Sequence, residues 1–233
     1  MHTSKLAGAL TLSAFVLCAC GGGGGDTVVP PAAAPTTFAL NAGYKARIIS
    51  GAAESFGLSG SCSGTATITT SAAVPSTFEG VAGYSSAQLS TIKFDTCLPA
   101  NGSSSGTTYF NAGYMPIGLA IVGGEYSKFD VPPTDLPASV KVGDAGTFAT
   151  LTTYADSTKA VVTGKRVLSY AIEADSATTA IANVITRSYD VSNQLLATQQ
   201  SRYRMTQAGT LTLTLIDVQF STTSTIHLVY TPR

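Results

Sequence analysis

The chain has no tryptophan, only two histidines, and charged side chains at just 11% of its 233 residues, against ~25% in an average soluble protein. Each shortage narrows function. Basic and acidic residues balance at 13 each, so no basic stripe exists to follow a phosphate backbone, and nothing points to nucleic acid as a partner. No polybasic patch offers electrostatic attachment to a membrane surface. His2 sits at the extreme N-terminus and leaves His227 as the sole imidazole further on, too few for a histidine-based metal centre. No stretch resembles an EF-hand loop. Hydroxyl side chains take the place of the missing charges, and threonine among them favours strands.

What is present begins with Lys5, an apolar stretch from Leu6 to Leu17, and then Leu17-Cys18-Ala19-Cys20 followed by five glycines. A basic residue, a short apolar core and small residues form the layout of a secretory leader, too short to span a bilayer. The Leu-Cys-Ala-Cys ending resembles the lipobox of bacterial lipoproteins. That resemblance covers residues 1–25 and implies cleavage after Ala19, with Cys20 carrying lipid. Cys18 fits less well, because bulky Leu17 would then precede the cut. In such proteins two or more acyl chains anchor stably, so the expected partner is a membrane, held through the N-terminal lipid. The position after the lipidated cysteine is Gly21 rather than the aspartate associated with inner-membrane retention, which implies the outer membrane in a Gram-negative host.

Residues 20–37, glycine-rich and then studded with Pro30, Pro31 and Pro35, read as a tether. With Cys18 in the leader and Cys20 lipidated, Cys62 and Cys97 remain. An oxidising compartment favours a disulfide between them, worth roughly 3–4 kcal/mol on the chain-entropy model.

From residue 38 onward, short runs of Thr, Val, Ile, Tyr and Phe alternate with Gly, Asn, Asp, Ser and Pro, and no segment carries a sustained helical stripe. Gly146–Tyr154, Ala160–Ala174, Thr178–Tyr189, Leu195–Met205, Thr210–Phe220 and Thr225–Thr231 predict six consecutive strands. Their short connections make them antiparallel neighbours. In the last but one, Leu211, Leu213 and Leu215 share a phase that Ile216, Val218 and Phe220 break, which predicts a β-bulge near Leu215-Ile216. The first half is less regular, with strands expected at Tyr44–Ser50, Gly64–Thr70, Phe78–Ala82, Gln88–Asp95 and Thr107–Tyr114, followed by two short apolar or mixed stretches, Ile117–Val122 and Glu125–Phe129. Val131 to Pro137, with three prolines, reads as a hinge or a crossing strap, leaving open a division there. The fold class expected is all-β, an antiparallel meander closing into a half-barrel or a sandwich, with a disulfide-stapled first half.

Motifs for chemistry are weak. Gly60-Ser61-Cys62-Ser63-Gly64 matches the cysteine form of a nucleophile elbow, but a strand rather than a helix follows it. Ser90-Thr91-Ile92-Lys93 matches S-x-x-K, yet in a strand Ser90 and Lys93 face opposite sides. His227 alternates with Ile226, Leu228 and Tyr230 and is expected to face outward. Glu173 with Asp175, Arg187, and Arg202 with Arg204 form the nearest thing to a charged constellation, either a cradle for a polar ligand or cross-strand ion pairs. No cofactor is implied. The reading that follows is a lipid-anchored, non-enzymatic binding or structural module of the cell envelope, with another envelope protein or a small apolar ligand as partner. A carrier of apolar ligands would need a pocket lined by Val, Leu, Ile and Phe. A hydrolase would need a free Cys62, or a serine with a base in reach.

Overall fold

The computed structural model describes residues 36–97, 101–221 and 226–233; the leader, Cys20 and nearly all of the tether lie outside them. A helix, α1 (Leu40–Ser50), comes first. Thirteen strands follow among the described residues: β1 (Ala52–Gly60), β2 (Gly64–Thr70), β3 (Val74–Phe78), β4 (Val81–Phe94), β5 (Asn101–Asn111), β6 (Pro116–Ile121) and β7 (Tyr126–Phe129), then β8 (Ala145–Tyr154), β9 (Val162–Ala174), β10 (Thr179–Asp190), β11 (Leu195–Thr206), β12 (Leu211–Phe220) and β13 (His227–Pro232). The protein is all-β and antiparallel, as the alternation predicts, and the sheet goes beyond a half-barrel to close on itself. β1 pairs with both β13 and β2, and β2 pairs with β4 from Gly64↔Phe94 to Thr70↔Gln88, so twelve strands make a ring. Closure leaves those twelve without a free edge. β3 continues along the same side of β4 below β2, from Val74↔Ser85 to Phe78↔Val81.

Alternation sets which face is inside. In β2, Gly64 and Ala66 are buried while Thr67 and Thr69 are exposed. In β10, Ala180 and Ala182 are fully buried. The outer wall carries Thr67, Thr69, Lys93, Arg187, Arg202, Arg204 and Asp217 along its strands, with Leu89, Val167, Ile185 and Leu215 among them. Among the described residues no helix is long and apolar enough to cross a membrane.

The interior holds two apolar clusters. One, around Phe38, Leu40, Met115, Leu136, Val140, Phe148, Ile172 and Met205, fills the end capped by α1. The other, around Phe56, Leu58, Ala66, Leu213, Ile216, Leu228 and Tyr230, lines the side made by β1, β2, β12 and β13 and includes Cys62, which is bonded to Cys97 across 35 positions. Residues 130–144 cross the helix end as a strap, with Leu136 and Val140 buried and Val140 paired to Phe38.

Three local expectations are corrected. Tyr44–Ser50 is helix, not strand: Leu40, Gly43 and Tyr44 recur at helical spacing and face the barrel, and Gly51, at φ +68°, ends the helix. The run Arg47-Ile48-Ile49 has strand-like composition, but tertiary packing of the opposite face prevails. Phe78–Ala82 is not one strand, because Glu79 and Gly80 both take positive φ (48° and 82°) and form the two-residue turn between β3 and β4. Thr107–Tyr114 runs too far: β5 ends at Asn111, whose side-chain oxygen accepts from the Gly113 and Met115 N–H groups at 2.9 Å each and turns the chain. The bulge in β12 falls one residue before its predicted place. Tyr203 pairs with Leu213 and Arg202 with Leu215, leaving Thr214 as the extra residue, and its hydroxyl donates to the Arg202 carbonyl at 2.9 Å. Leu215 therefore faces outward, while Leu213 and Ile216 both face in.

Candidate functional site: the barrel lumen

Between the two apolar clusters the barrel is not filled. A central chamber of about 290 Å³ is lined from eight successive strands, β4 to β11, an arrangement that only the inside of the ring permits. Its walls carry Gln88, Ser90, Ser104, Thr108, Thr186 and Gln199 beside Leu119, Leu151 and Leu168. A second chamber of about 260 Å³ lies beneath α1 and shares Gln88, Thr108, Leu168, Thr186 and Gln199 with the first, so the two are continuous. Here Tyr44, Ile48, Phe110, Val184, Tyr203 and Leu211 add aromatic and aliphatic surface. The lining is therefore amphipathic: apolar under the helix, hydroxyl and amide at the waist. It differs from the Val, Leu, Ile and Phe wall expected of an apolar-ligand carrier.

An ion pair borders this space toward each end. Under the helix, Arg47 Nη2 meets Glu54 Oε1 at 2.7 Å, and the guanidinium lies 4.9 Å from the centroid of the Tyr203 ring. Glu54 shares the inward phase of Phe56 and Leu58 in β1, and α1 brings Arg47 to it. Burial pushes the phenols of Tyr44 and Tyr203 up, so both stay neutral in the physiological range.

The other pair lies toward the opposite end. Arg166 lies in β9 in phase with Leu168, Tyr170 and Ile172, and it lines both the central chamber and a hollow of about 340 Å³ at the barrel mouth. Its Nη2 donates to Glu125 Oε2 at 2.9 Å, while the hydroxyl of fully buried Ser127 donates to Glu125 Oε1 at 2.6 Å. Arg166 Nε is buried and has no hydrogen-bond partner among the described residues, a status shared by Arg202 Nε on the outer wall. A buried guanidinium N–H left unpaired is costly.

The residues singled out from sequence fall elsewhere. Cys20 lies outside the described residues. Cys62 and Cys97 form the disulfide, so Cys62 is not a free thiol and the cysteine-nucleophile reading is withdrawn. Glu173 pairs with Arg202 at 2.6 Å and Asp175 with Arg204 at 2.8 Å, all four on the outer wall. Glu173 also accepts from the buried Asn183 amide at 2.9 Å. Arg187 stands opposite Val167 and Thr198 and joins neither pair. His227 faces outward and meets Asp217 at 3.0 Å. Ser90 lines the lumen while Lys93 is exposed outside, on opposite faces of β4. Among the described residues no three metal-ligating side chains gather.

Sequence reasoning missed Arg166, Glu125, Arg47 and Glu54. A signal existed for two of them: Arg166 and Glu54 each interrupt an apolar inward phase with a charge. Their partners lie in other elements, and only the fold brings those close. The chain matches no known family model, no curated protein and no solved structure.

Proposed function

We propose that this protein is a binding module, tethered to a bacterial envelope membrane through lipid on Cys20, that takes one small amphipathic molecule into its barrel lumen. The single observation that carries the reading is the unfilled interior. A barrel serving only as a scaffold gains stability by packing its centre, yet here two continuous chambers of about 290 and 260 Å³ are kept open, within reach of the range typical of ligand sites. Hydroxyl and amide groups at Gln88, Thr108, Thr186 and Gln199 favour a ligand with hydrogen-bonding groups along its length, and the surface under α1 favours an apolar end.

The test is native mass spectrometry of protein purified from host membranes, wild type beside Thr186→Trp, which places an indole between the two chambers. The expected result is a co-purifying small molecule on the wild type that the variant loses. Equal occupancy in both proteins would place the ligand outside the lumen and sink the reading. The same spectra report the anchor, since a mass beginning at Cys20 plus acyl groups is expected and an unmodified N-terminus refutes the tether.

A further inference from the structure

We propose that Arg166 is the residue that selects the ligand, and that the ligand is an amphipathic organic monoanion whose charged oxygens dock on the Arg166 Nε edge at the lumen mouth. This rests on the lumen reading above and adds the chemical class to it. Three observations converge. Arg166 Nε is a buried donor with no partner among the described residues, on a side chain that forms part of the central chamber wall. Its charge is only partly committed, because Glu125 engages Nη2 alone at 2.9 Å and divides its attention with the Ser127 hydroxyl. The neighbouring Lys165 faces the other side of β9, its Nζ 5.5 Å from the Tyr189 ring centroid, so the inward cation at this level of the strand is Arg166.

Guanidinium geometry gives the mechanism. A carboxylate or sulfonate binds the planar fork through two parallel N–H···O bonds, and the edge that includes Nε also includes one terminal nitrogen. A ligand oxygen on Nε therefore competes with Glu125 for the adjacent Nη2. Glu125 acts as an internal anion that holds Arg166 in position while the lumen is empty and yields when a better-shaped anion arrives. Along β10, Ser188 marks the level of Arg166 and Val184 the level of the chamber under α1. Four residues of strand separate them, about 13 Å, which sets the length of a molecule that reaches from the apolar end to the anchor.

Two fluorescent probes of one shape separate the claims: anilinonaphthalene sulfonate, an anion, and phenylnaphthylamine, the same skeleton without the sulfonate. Both are titrated into the full folded chain, as wild type, Thr186→Trp, Arg166→Gln, Arg166→Lys and Glu125→Gln, with circular dichroism confirming the fold of each. The expected pattern is loss of both probes in Thr186→Trp. The anionic probe alone weakens roughly tenfold in Arg166→Gln and tightens roughly tenfold in Glu125→Gln. Arg166→Lys, which keeps the charge but loses the fork, should weaken the anion partially and still report if the glutamine variant fails to fold. If both probes bind and both are lost in Thr186→Trp, but their affinity ratio is the same in every Arg166 and Glu125 variant, the anchor is overturned and the lumen reading stands. If neither probe binds, or Thr186→Trp changes neither, both proposals fall.

Discussion

Gly43 of α1 lies so close to Gly209 of the β11–β12 turn that a Cβ on Gly43 would stand 1.9 Å from the Gly209 carbonyl oxygen. The helix caps the barrel through this contact. Gly209 N–H is itself bound to Thr206 O at 2.9 Å, and Ala39 N–H donates to Gln207 O at 3.1 Å, so the turn has little room to withdraw. Gly43→Ala must therefore lift the helix, which carries Leu40 and Tyr44 away from the core under it. The expected loss is about 2–4 kcal/mol by chemical denaturation, from overpacking and the surrendered burial together. A loss below ~0.5 kcal/mol would show that the helix is not seated on that turn.

The Cys62–Cys97 bridge ties the β1–β2 turn to the chain that follows β4, at the barrel end opposite α1. It closes a loop of 35 positions, for which the chain-entropy model gives roughly 3–4 kcal/mol. Thiol reduction, or the paired change Cys62→Ala with Cys97→Ala, should lower the midpoint of urea unfolding accordingly. Ligand binding in the lumen should persist in native buffer, because the two chambers have neither cysteine in their walls. Simultaneous loss of stability and binding would mean that the bridge shapes the lumen.

How far the sequence could be read depended on whether the deciding contact was local. The strands of the second half have boundaries within a residue or two of the expected ones, because alternation and turn residues mark each strand by itself. Gly64–Thr70 was equally plain, for the same reason. α1 was not legible, since its helical face is Leu40, Gly43 and Tyr44 over a barrel end that forms only when residues from β8 to β12 converge. β1 escaped notice because its small residues dilute an alternation that rests on Phe56 and Leu58. Closure was invisible too: the β2–β4 ladder sets the outward threonines of β2 against Leu89, Thr91 and Lys93, a row with no chemistry that marks the pairing. The lumen pair Glu125–Arg166 spans 41 positions, whereas Glu173 and Asp175 pair with Arg202 and Arg204 across the intervening β10, on the outer face where their alternation puts them.

Acid should loosen the β3–β4 turn. The Lys159 ammonium hydrogen-bonded to Glu79, aided by the Tyr126 hydroxyl, holds the Glu79 carboxyl below its usual range. A carboxylate with a folded pKa below its unfolded value contributes stability that is fully present above the unfolded pKa, about 4.3, and is lost as pH falls through the folded pKa. The pair is part-exposed, so its worth is of the order of 0.2–1 kcal/mol. Asp175 is held down by Arg204 and then Thr179, and Asp156 by Thr158, so the whole protein loses stability in the same window. The Glu79 share is isolated by comparison: melting temperatures of wild type and Glu79→Gln should differ by a degree or two at about pH 6, and the gap should shrink steadily as pH falls below the unfolded pKa. A constant gap across that range would remove Glu79 ionisation as the cause.

Phe78, just before that turn, is folded over the outside of the barrel, 6% exposed, stacked on Tyr109 with centroids 4.3 Å apart and near Tyr126 at 5.5 Å. Gly118 in β6 makes the seat, since a Cβ there would come within 2.2 Å of the Phe78 ring. Phe78→Ala alone should cost about 3–5 kcal/mol, as for other buried phenylalanines. Gly118→Ala alone should cost about 1–3 kcal/mol by forcing the ring out of its stack. The two changes share one contact, so their effects cannot add. Once the ring is gone the added methyl meets nothing from Phe78 and fills part of the gap instead, and the double variant should be more stable than the sum of the singles predicts by at least ~1 kcal/mol. Additive costs in urea unfolding would mean that the ring does not rest on Gly118.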